Sequence, residues 1–411
     1  MTGGSGDRAA GARMARRILW TEIRRGTPPL VALFTAMAMT WMLAAHPESW
    51  AGQWTGLSTY LRVSLLILIP LQVAGGAWQI GRDRRARIED LLSTMPRPAW
   101  QPLVAAWAAV TLAGLAGLVP PLVIAMILVG LRASHVGDGW WWPLLVGLIA
   151  LPSAAALGVL LGRFVALRLV APVAGVIVYL GLAVPVYLHE TRWTGLSPVI
   201  GYAGPADVWP VGYHAWQAGW LVALGAVLLS LAARLWWTAV VPGALAAALV
   251  VAAPAGSGVG TDAAALALVC TDRTPQVCVT RVHAFLLEDI AGPVEAQLAR
   301  VAGVPGAPVR AVDVLAREQD ERRDDVWWIS ITTQAGVTGG PAHPEWLPDV
   351  RELIYDTGCP SPADPTAAQT LTTASEHLAE ELTPEHEQWV GRVLAAARAC
   401  DQDELRRLAR S

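Results

Sequence analysis

The sequence predicts an all-α polytopic membrane domain of about seven transmembrane helices, followed by a small α+β, disulfide-stapled extracytoplasmic domain. Three observations carry this expectation. The 411-residue chain is 54% hydrophobic and only 15% charged, with a mean hydropathy of +0.43, too apolar for an ordinary soluble domain. Its net charge of −3 hides two halves of opposite sign: residues 1–256 hold 17 Arg against 9 acids, and residues 257–411 hold 13 Arg against 24 acids. All four cysteines, Cys270, Cys278, Cys359 and Cys400, fall in the acidic half. The chain therefore divides into a cytoplasmic elbow (1–27), a transmembrane domain (28–256) and an outer domain (257–411), with a Gly-rich break at Pro254–Gly260.

A hydrocarbon core about 30 Å thick needs a helix of about 20 apolar residues. Seven stretches meet or approach that length: Pro28–Ala45, Val63–Ile80, Pro102–Leu131, Trp140–Gly162, Leu169–Leu188, Ala215–Ala233 and Leu235–Ala255. None contains Asp, Glu or Arg. The first follows a long Arg-rich stretch without a small-residue cleavage site and reads as a retained anchor. The third has Pro120 and Pro121 at which to tilt or kink. The least distinct break lies between the sixth and seventh, where Arg234 and the pair Trp236, Trp237 intervene. Trp140, Trp141 and Trp142 read as an interfacial belt.

Cytoplasmic loops retain positive charge. With the N-terminus inside, the inner segments hold fourteen Arg and the outer loops only Arg62, Arg132 and Arg192. Seven spans from an inside start place the acidic domain outside a plasma membrane. There an even set of cysteines without C-x-x-C spacing reads as disulfides rather than a zinc site. Proximity in sequence pairs Cys270 with Cys278 and Cys359 with Cys400.

Every one of the 30 basic residues is Arg. Without Lys the chain cannot supply the phosphate-binding lysine of a Walker A loop or the amine of a Schiff base. It is not a P-loop ATPase by itself.

The segment QIGRDRRARIEDLLSTMPRP, Gln79–Pro98, sits between the second and third spans. Ile88, Leu91, Leu92 and Met95 recur at i, i+3, i+4 and i+7, the stripe of an amphipathic helix over residues 81–96. Pro96 and Pro98 stop it. By spacing alone it could equally be a surface helix whose Arg residues attract anionic membrane lipid. Ahead of the first span, ARRILWTEIRRGTPPL places Ile18, Leu19 and Ile23 on one side, with Arg16, Arg17, Glu22, Arg24 and Arg25 around them.

An Arg- and Glu-bearing elbow, a span, a short outer loop, a second span and then this charged "LL-x-x-x-P" segment resemble the membrane subunit of an ABC-2-type transporter. The match covers residues 14 to about 234. The resemblance implies that Arg82, Arg84, Arg85, Arg87, Glu89, Leu91, Leu92 and Thr94 belong to a coupling helix that docks on a separate ABC ATPase subunit. It also implies a homodimer or heterodimer of permeases. The chain would need no cofactor of its own, ATP being bound by the partner, and no feature addresses nucleic acid. The Trp- and Pro-rich stretch 189–213 stands where such permeases place short re-entrant helices. The family has six spans, whereas this chain adds a seventh and the outer domain. Arg-only basic usage with abundant Ala, Gly, Val and Leu is expected of a high-GC, actinobacterial genome.

In the outer domain, Gln276–Thr280, Pro308–Leu315 and Val326–Thr333 read as strands, and Pro293–Ala302 as a helix with Pro first. Thr383 caps another helix, which carries Trp389, Val390, Val393, Leu394 and Ala397 as its buried stripe. His283, His343, His377 and His386 match no metal-ligand spacing and read as solvated polar residues. The acidic run 317–325 reads as a solvated loop. No catalytic constellation emerges, so no enzyme is expected. The leading expectation is an exporter permease, which couples ATP hydrolysis by another subunit to substrate movement across the membrane. The alternative is a membrane-anchored sensor or scaffold whose outer domain binds a ligand or protein. Charge-free spans with scattered Gln72, Gln79, Thr111, Ser153 and Ser230 suit an amphiphile or apolar cargo.

Overall fold

The computed structural model describes residues 20, 21, 23, 26–85, 100–165, 167, 169–188, 195–199, 203–254, 256, 258–317, 325–331, 347–355, 359–380 and 382–410. They form two compact units. The helical unit takes in residues up to His46, Trp54–Gly130 and Asp138–Thr261; the C-terminal unit comprises Pro47–Gln53, Leu131–Gly137 and Asp262–Ser411.

The helical unit contains α1 (Pro28–Ala45), α2 (Trp54–Arg85), α3 (Trp100–Arg132), α4 (Trp141–Phe164), α5 (Val170–Leu188), α6 (Val211–Ala232) and α7 (Val240–Val251). Among the described residues, five helices are long and apolar enough to cross a membrane: α1, α2, α3, α4 and α6. The expected seventh span is corrected to something shorter. Its helix α7 has 12 residues, about 18 Å at 1.5 Å per residue. One feature helps set that start: Arg234 takes φ 56° and ends the helical path after α6. The second span is corrected in the other direction. Helix α2 begins at Trp54, nine residues before the expected start, and so includes Arg62.

Helix α2 packs against α1, α4 and α5, α4 against α6, and α6 against α7. The α2–α4 contact is backbone on backbone. A Cβ added at Gly76 would meet the Ala155 carbonyl at 2.6 Å, and one at Gly158 would overlap the Val73 carbonyl. Small residues allow this approach, which supplies dispersion contact where a lipid surround offers no hydrophobic drive. Strand β1 (Asp207–Val208) pairs antiparallel with β2 (Gly260–Thr261), so the chain beyond α7 returns beside the residues that precede α6.

The C-terminal unit is built on a sheet of order β3 (Leu268–Cys270), β4 (Gln276–Thr280), β5 (Arg310–Asp313), β6 (Val326–Ile329). The β3–β4 pair is antiparallel, whereas β4–β5 and β5–β6 are parallel. A parallel neighbour requires a crossover, supplied for β4 and β5 by α8 (Leu287–Arg300). Helices α9 (Pro365–Ala379), α10 (Pro384–Arg398) and α11 (Gln402–Leu408) complete the unit. Its core joins Val277 and Trp327 of the sheet to Val294, Leu371 and Leu394 of the helices, all at most 6% exposed. Helix α8 begins at Leu287 rather than Pro293, because its buried stripe of Ile290, Ala291, Val294 and Leu298 extends upstream of the proline. Thr383 caps α10 by accepting from the His386 amide at 3.3 Å.

Disulfides join Cys270 to Cys278 and Cys359 to Cys400, the pairing that sequence proximity indicates. The first links residues directly opposite each other in β3 and β4. The turns that follow α1 and α3 are also fastened into this unit. Ser134 Oγ donates to the Arg281 carbonyl at 2.6 Å and accepts from the Phe285 amide at 3.3 Å. His135 Nε2 lies 2.7 Å from Asp262 Oδ2, and Gly52, at φ 74°, rests on the Phe285 ring where no Cβ would fit.

Candidate functional site

The C-terminal end of α2 carries Arg82, Arg84 and Arg85 on helical backbone. The rest of the expected coupling helix, with Arg87, Glu89, Leu91, Leu92 and Thr94, lies outside the described residues, as do Arg16, Arg17, Glu22, Arg24 and Arg25 of the elbow.

The other end of α2 holds the most polar interior of the helical unit. Thr55, Ser58, Thr59 and Arg62 stand at i, i+3, i+4 and i+7, one face of two turns, and all are at most 9% exposed. Thr55 Oγ1 donates to the Pro205 carbonyl at 3.0 Å, Thr59 Oγ1 to the Ala203 carbonyl at 3.5 Å, and Ser58 Oγ to the Trp140 carbonyl. Arg62, fully buried, places its guanidinium carbon 5.3 Å from the Trp209 ring centroid, within cation–π range. Its Nη1 lies 3.2 Å from His214 Nε2. His214 Nδ1 lies 3.1 Å from the Pro210 carbonyl and must donate to it. That leaves Nε2 of a neutral imidazole as the acceptor for Arg62.

Helix α6 supplies the matching face. Gln217 Nε2 donates to the Gly195 and Ser197 carbonyls at 2.8 and 2.9 Å, and Trp220 Nε1 to the Leu196 carbonyl at 3.1 Å. The chain ahead of α6 is thus bound on one side by α2 and on the other by α6. Its described parts, 195–199 and 203–210, are turns and the short β1, while 189–194 and 200–202, where re-entrant helices are also expected, lie outside the described residues. Arg62 and His214, each one residue before the expected spans Val63–Ile80 and Ala215–Ala233, lie within α2 and α6, which begin earlier than expected. The signal available in the sequence was the Thr55, Thr59, Arg62 spacing within an otherwise apolar run.

In the C-terminal unit, His283 is buried rather than solvated. Its Nδ1 lies 2.7 Å from Asp313 Oδ2. Asp313 also accepts from the Thr280 amide and hydroxyl and from the Leu315 amide. Burial pushes the Asp313 carboxyl up, but the bonds from His283, Thr280 and Leu315 outweigh it and hold the group below the usual carboxylate range. His377 and His386 stack on each other at 4.3 Å, and His377 meets the Trp389 ring at 5.6 Å. These two are therefore packed as well. His343 and most of the acidic run, residues 318–324, lie outside the described residues. Among the described residues no three His, Cys, Asp or Glu side chains come together as a metal site. A cavity of about 280 Å³ opens beside the Cys359–Cys400 disulfide, between Tyr355, Leu371 and Gln402.

No protein-family model, curated protein or solved structure matches the chain.

Proposed function

We propose that the chain is the membrane-spanning permease subunit of an ABC-type exporter, driven by a separate ATPase. The observation that carries the reading is the continuity of α2. Its 32 residues make a rod of about 48 Å, longer than the hydrocarbon core. The rod leads from the charged segment after Arg85, through close contact with α4, to the Arg62 seam. Motion delivered at the Arg82–Arg85 end therefore reaches the polar seam along one helix, with Pro70 partway along it.

The proposed topology has the N-terminus in the cytoplasm of a plasma membrane and the C-terminal unit outside. Arg asymmetry supports it, as do the two disulfides and the membership of turns 47–53 and 131–137 in the disulfide-bearing unit. In this topology the last crossing is made by α7 together with the 3₁₀ turn Trp236–Ala239 that precedes it, which the β1–β2 pairing supports.

Leu91→Asp combined with Leu92→Asp is expected to abolish co-purification with the cognate ATPase while membrane insertion is retained, because a docking helix is anchored by its apolar residues. Undiminished co-purification would sink the docking role. A second reading, a membrane-anchored sensor, is favoured by the cavity beside Cys359–Cys400. It gains if the ATPase turns over at the same rate with and without this protein.

A further inference from the structure

Polar side chains are scarce in the helical unit, and several find partners. Gln79 Oε1 accepts from the Thr27 amide at 2.9 Å and from its hydroxyl. Ser153 Oγ donates to the Leu221 carbonyl at 2.8 Å. Gln72 and Thr111 remain.

The register of α1, α2 and α3 sets Gln72 against Gly114 and Thr35 against Gly117, one and two turns beyond Thr111 on α3. Gly75 of α2 faces Val31 of α1 and Val110 of α3, since a Cβ there would lie 2.7 Å and 3.5 Å from their methyl groups. One turn beyond this apolar layer, α1 presents Thr35 and α2, running the opposite way, presents Gln72. Helix α3 presents Gly114 and Gly117 to them, with Thr111 one turn before Gly114. A Cβ at Gly114 would fall on the Gln72 amide, and one at Gly117 would lie 2.9 Å from Thr35 Cβ. The two glycines are thus what admits the polar side chains.

Gln72 and Thr35 are fully buried and Thr111 is 7% exposed. Both amide atoms of Gln72 and the hydroxyls of Thr35 and Thr111 have no hydrogen-bond partner among the described residues. A buried neutral group left so costs about 1–3 kcal/mol, which an apolar side chain of the same shape avoids. Polar groups inside a bundle of apolar helices mark ligand paths rather than cohesion. None of the three is charged, and Arg62 lies ten residues away along α2, about 15 Å.

We propose that Thr35, Gln72 and Thr111 form a binding site inside the helical unit for a neutral hydrogen-bonding group, a hydroxyl or an amide. Water entering the bundle and the headgroup of an uncharged amphiphile share this chemistry. Within the exporter reading, on which this one step rests, the site selects cargo that carries such a headgroup.

The test uses the full chain in nanodiscs, uniformly labelled with ¹⁵N, and needs neither ATP nor the ATPase, so its failure leaves the exporter reading standing. The Gln72 side-chain amide, assigned by its loss in Gln72→Leu, should exchange with D₂O at least about tenfold faster than the amides of neighbouring helical residues. Slowing by 1-decanol but not by n-decane assigns the site to an amphiphile. Indifference to both, with fast exchange retained, assigns it to water. Thr35→Val with Thr111→Val should remove the fast exchange while α1–α3 keep their backbone protection. Exchange as slow as the helix core and unmoved by decanol would overturn the site, as would fast exchange that survives the double substitution.

Discussion

In the helical unit, Arg62 is buried against the Trp209 face and the His214 imidazole, and the Gln72 amide is buried with no protein partner among the described residues. In the C-terminal unit, Asp313 is equally buried but accepts four hydrogen bonds, from Thr280 N and Oγ1, His283 Nδ1 and Leu315 N. The sheet domain buries a charge by saturating it, as soluble cores do. The bundle instead leaves the Gln72 amide without such a partner among the described residues and coheres through the close backbone approach of α2 and α4. The difference teaches where each unit is vulnerable. A side chain too large breaks the bundle, and a lost bond or staple breaks the domain.

The largest expected effect probes the bundle. Gly158→Leu would place a side chain where the Val73 carbonyl sits, separating α2 from α4 and costing the fold itself rather than the roughly 1–3 kcal/mol of ordinary overpacking, because the obstacle is backbone. Size-exclusion chromatography of the detergent-solubilised chain should show loss of the monodisperse species. Gly181, with nothing within 4 Å of an added Cβ, should accept Ala without change. If Gly158→Leu behaves like Gly181→Ala, cohesion by close backbone approach is wrong.

Next come the staples of the domain. Cys359 and Cys400 are 41 residues apart, against 8 for Cys270 and Cys278. Loop-closure entropy then assigns about 4 kcal/mol to the first bridge and about 2.5 to the second. Replacing each pair by Ala and following hydrogen exchange at Val277–Val279 should reproduce that order, with exchange in α2 and α4 untouched. The reverse order would mean that the bridges act on the native sheet rather than on the unfolded chain.

The smallest effect concerns pH. The folded Asp313 carboxyl titrates below its unfolded value of about 4. Its contribution is therefore present above pH 4 and lost as pH falls through the folded value. Asp313→Asn should destabilise the C-terminal unit by about 2 kcal/mol at neutral pH and flatten its stability below pH 4. Parallel acid limbs in urea titrations of wild type and variant would exclude Asp313 as their source.

Much of this architecture was legible in one dimension. The spans α1, α3 and α4 coincide with their apolar runs within a few residues, because length and composition decide what can be helical in lipid. Strand β4 and the Thr383 cap were readable for equally local reasons, β-branched content and a hydroxyl ahead of Pro384. The polar seam was less so. Arg62 read as a loop residue, since an Arg ends a hydropathy window, yet α2 continues through it and the Trp209 ring covers it. His283 read as solvated because its partner Asp313 is thirty residues distant, brought alongside only by the parallel pairing of β4 and β5.

By itself, the sequence determined that the chain is a charge-poor helical bundle joined to an acidic, disulfide-bearing domain, and that it lacks the lysine of a nucleotide-binding loop. These are properties of composition and of residues near one another. Only the tertiary structure decided that Gln72 and Thr35 meet α3 at Gly114 and Gly117, that Arg62 meets His214, and that α7 is a 12-residue helix. Each depends on the register between helices, which glycines such as Gly114 and Gly158 set by letting backbones touch. Periodicity within a single helix carries no record of that register.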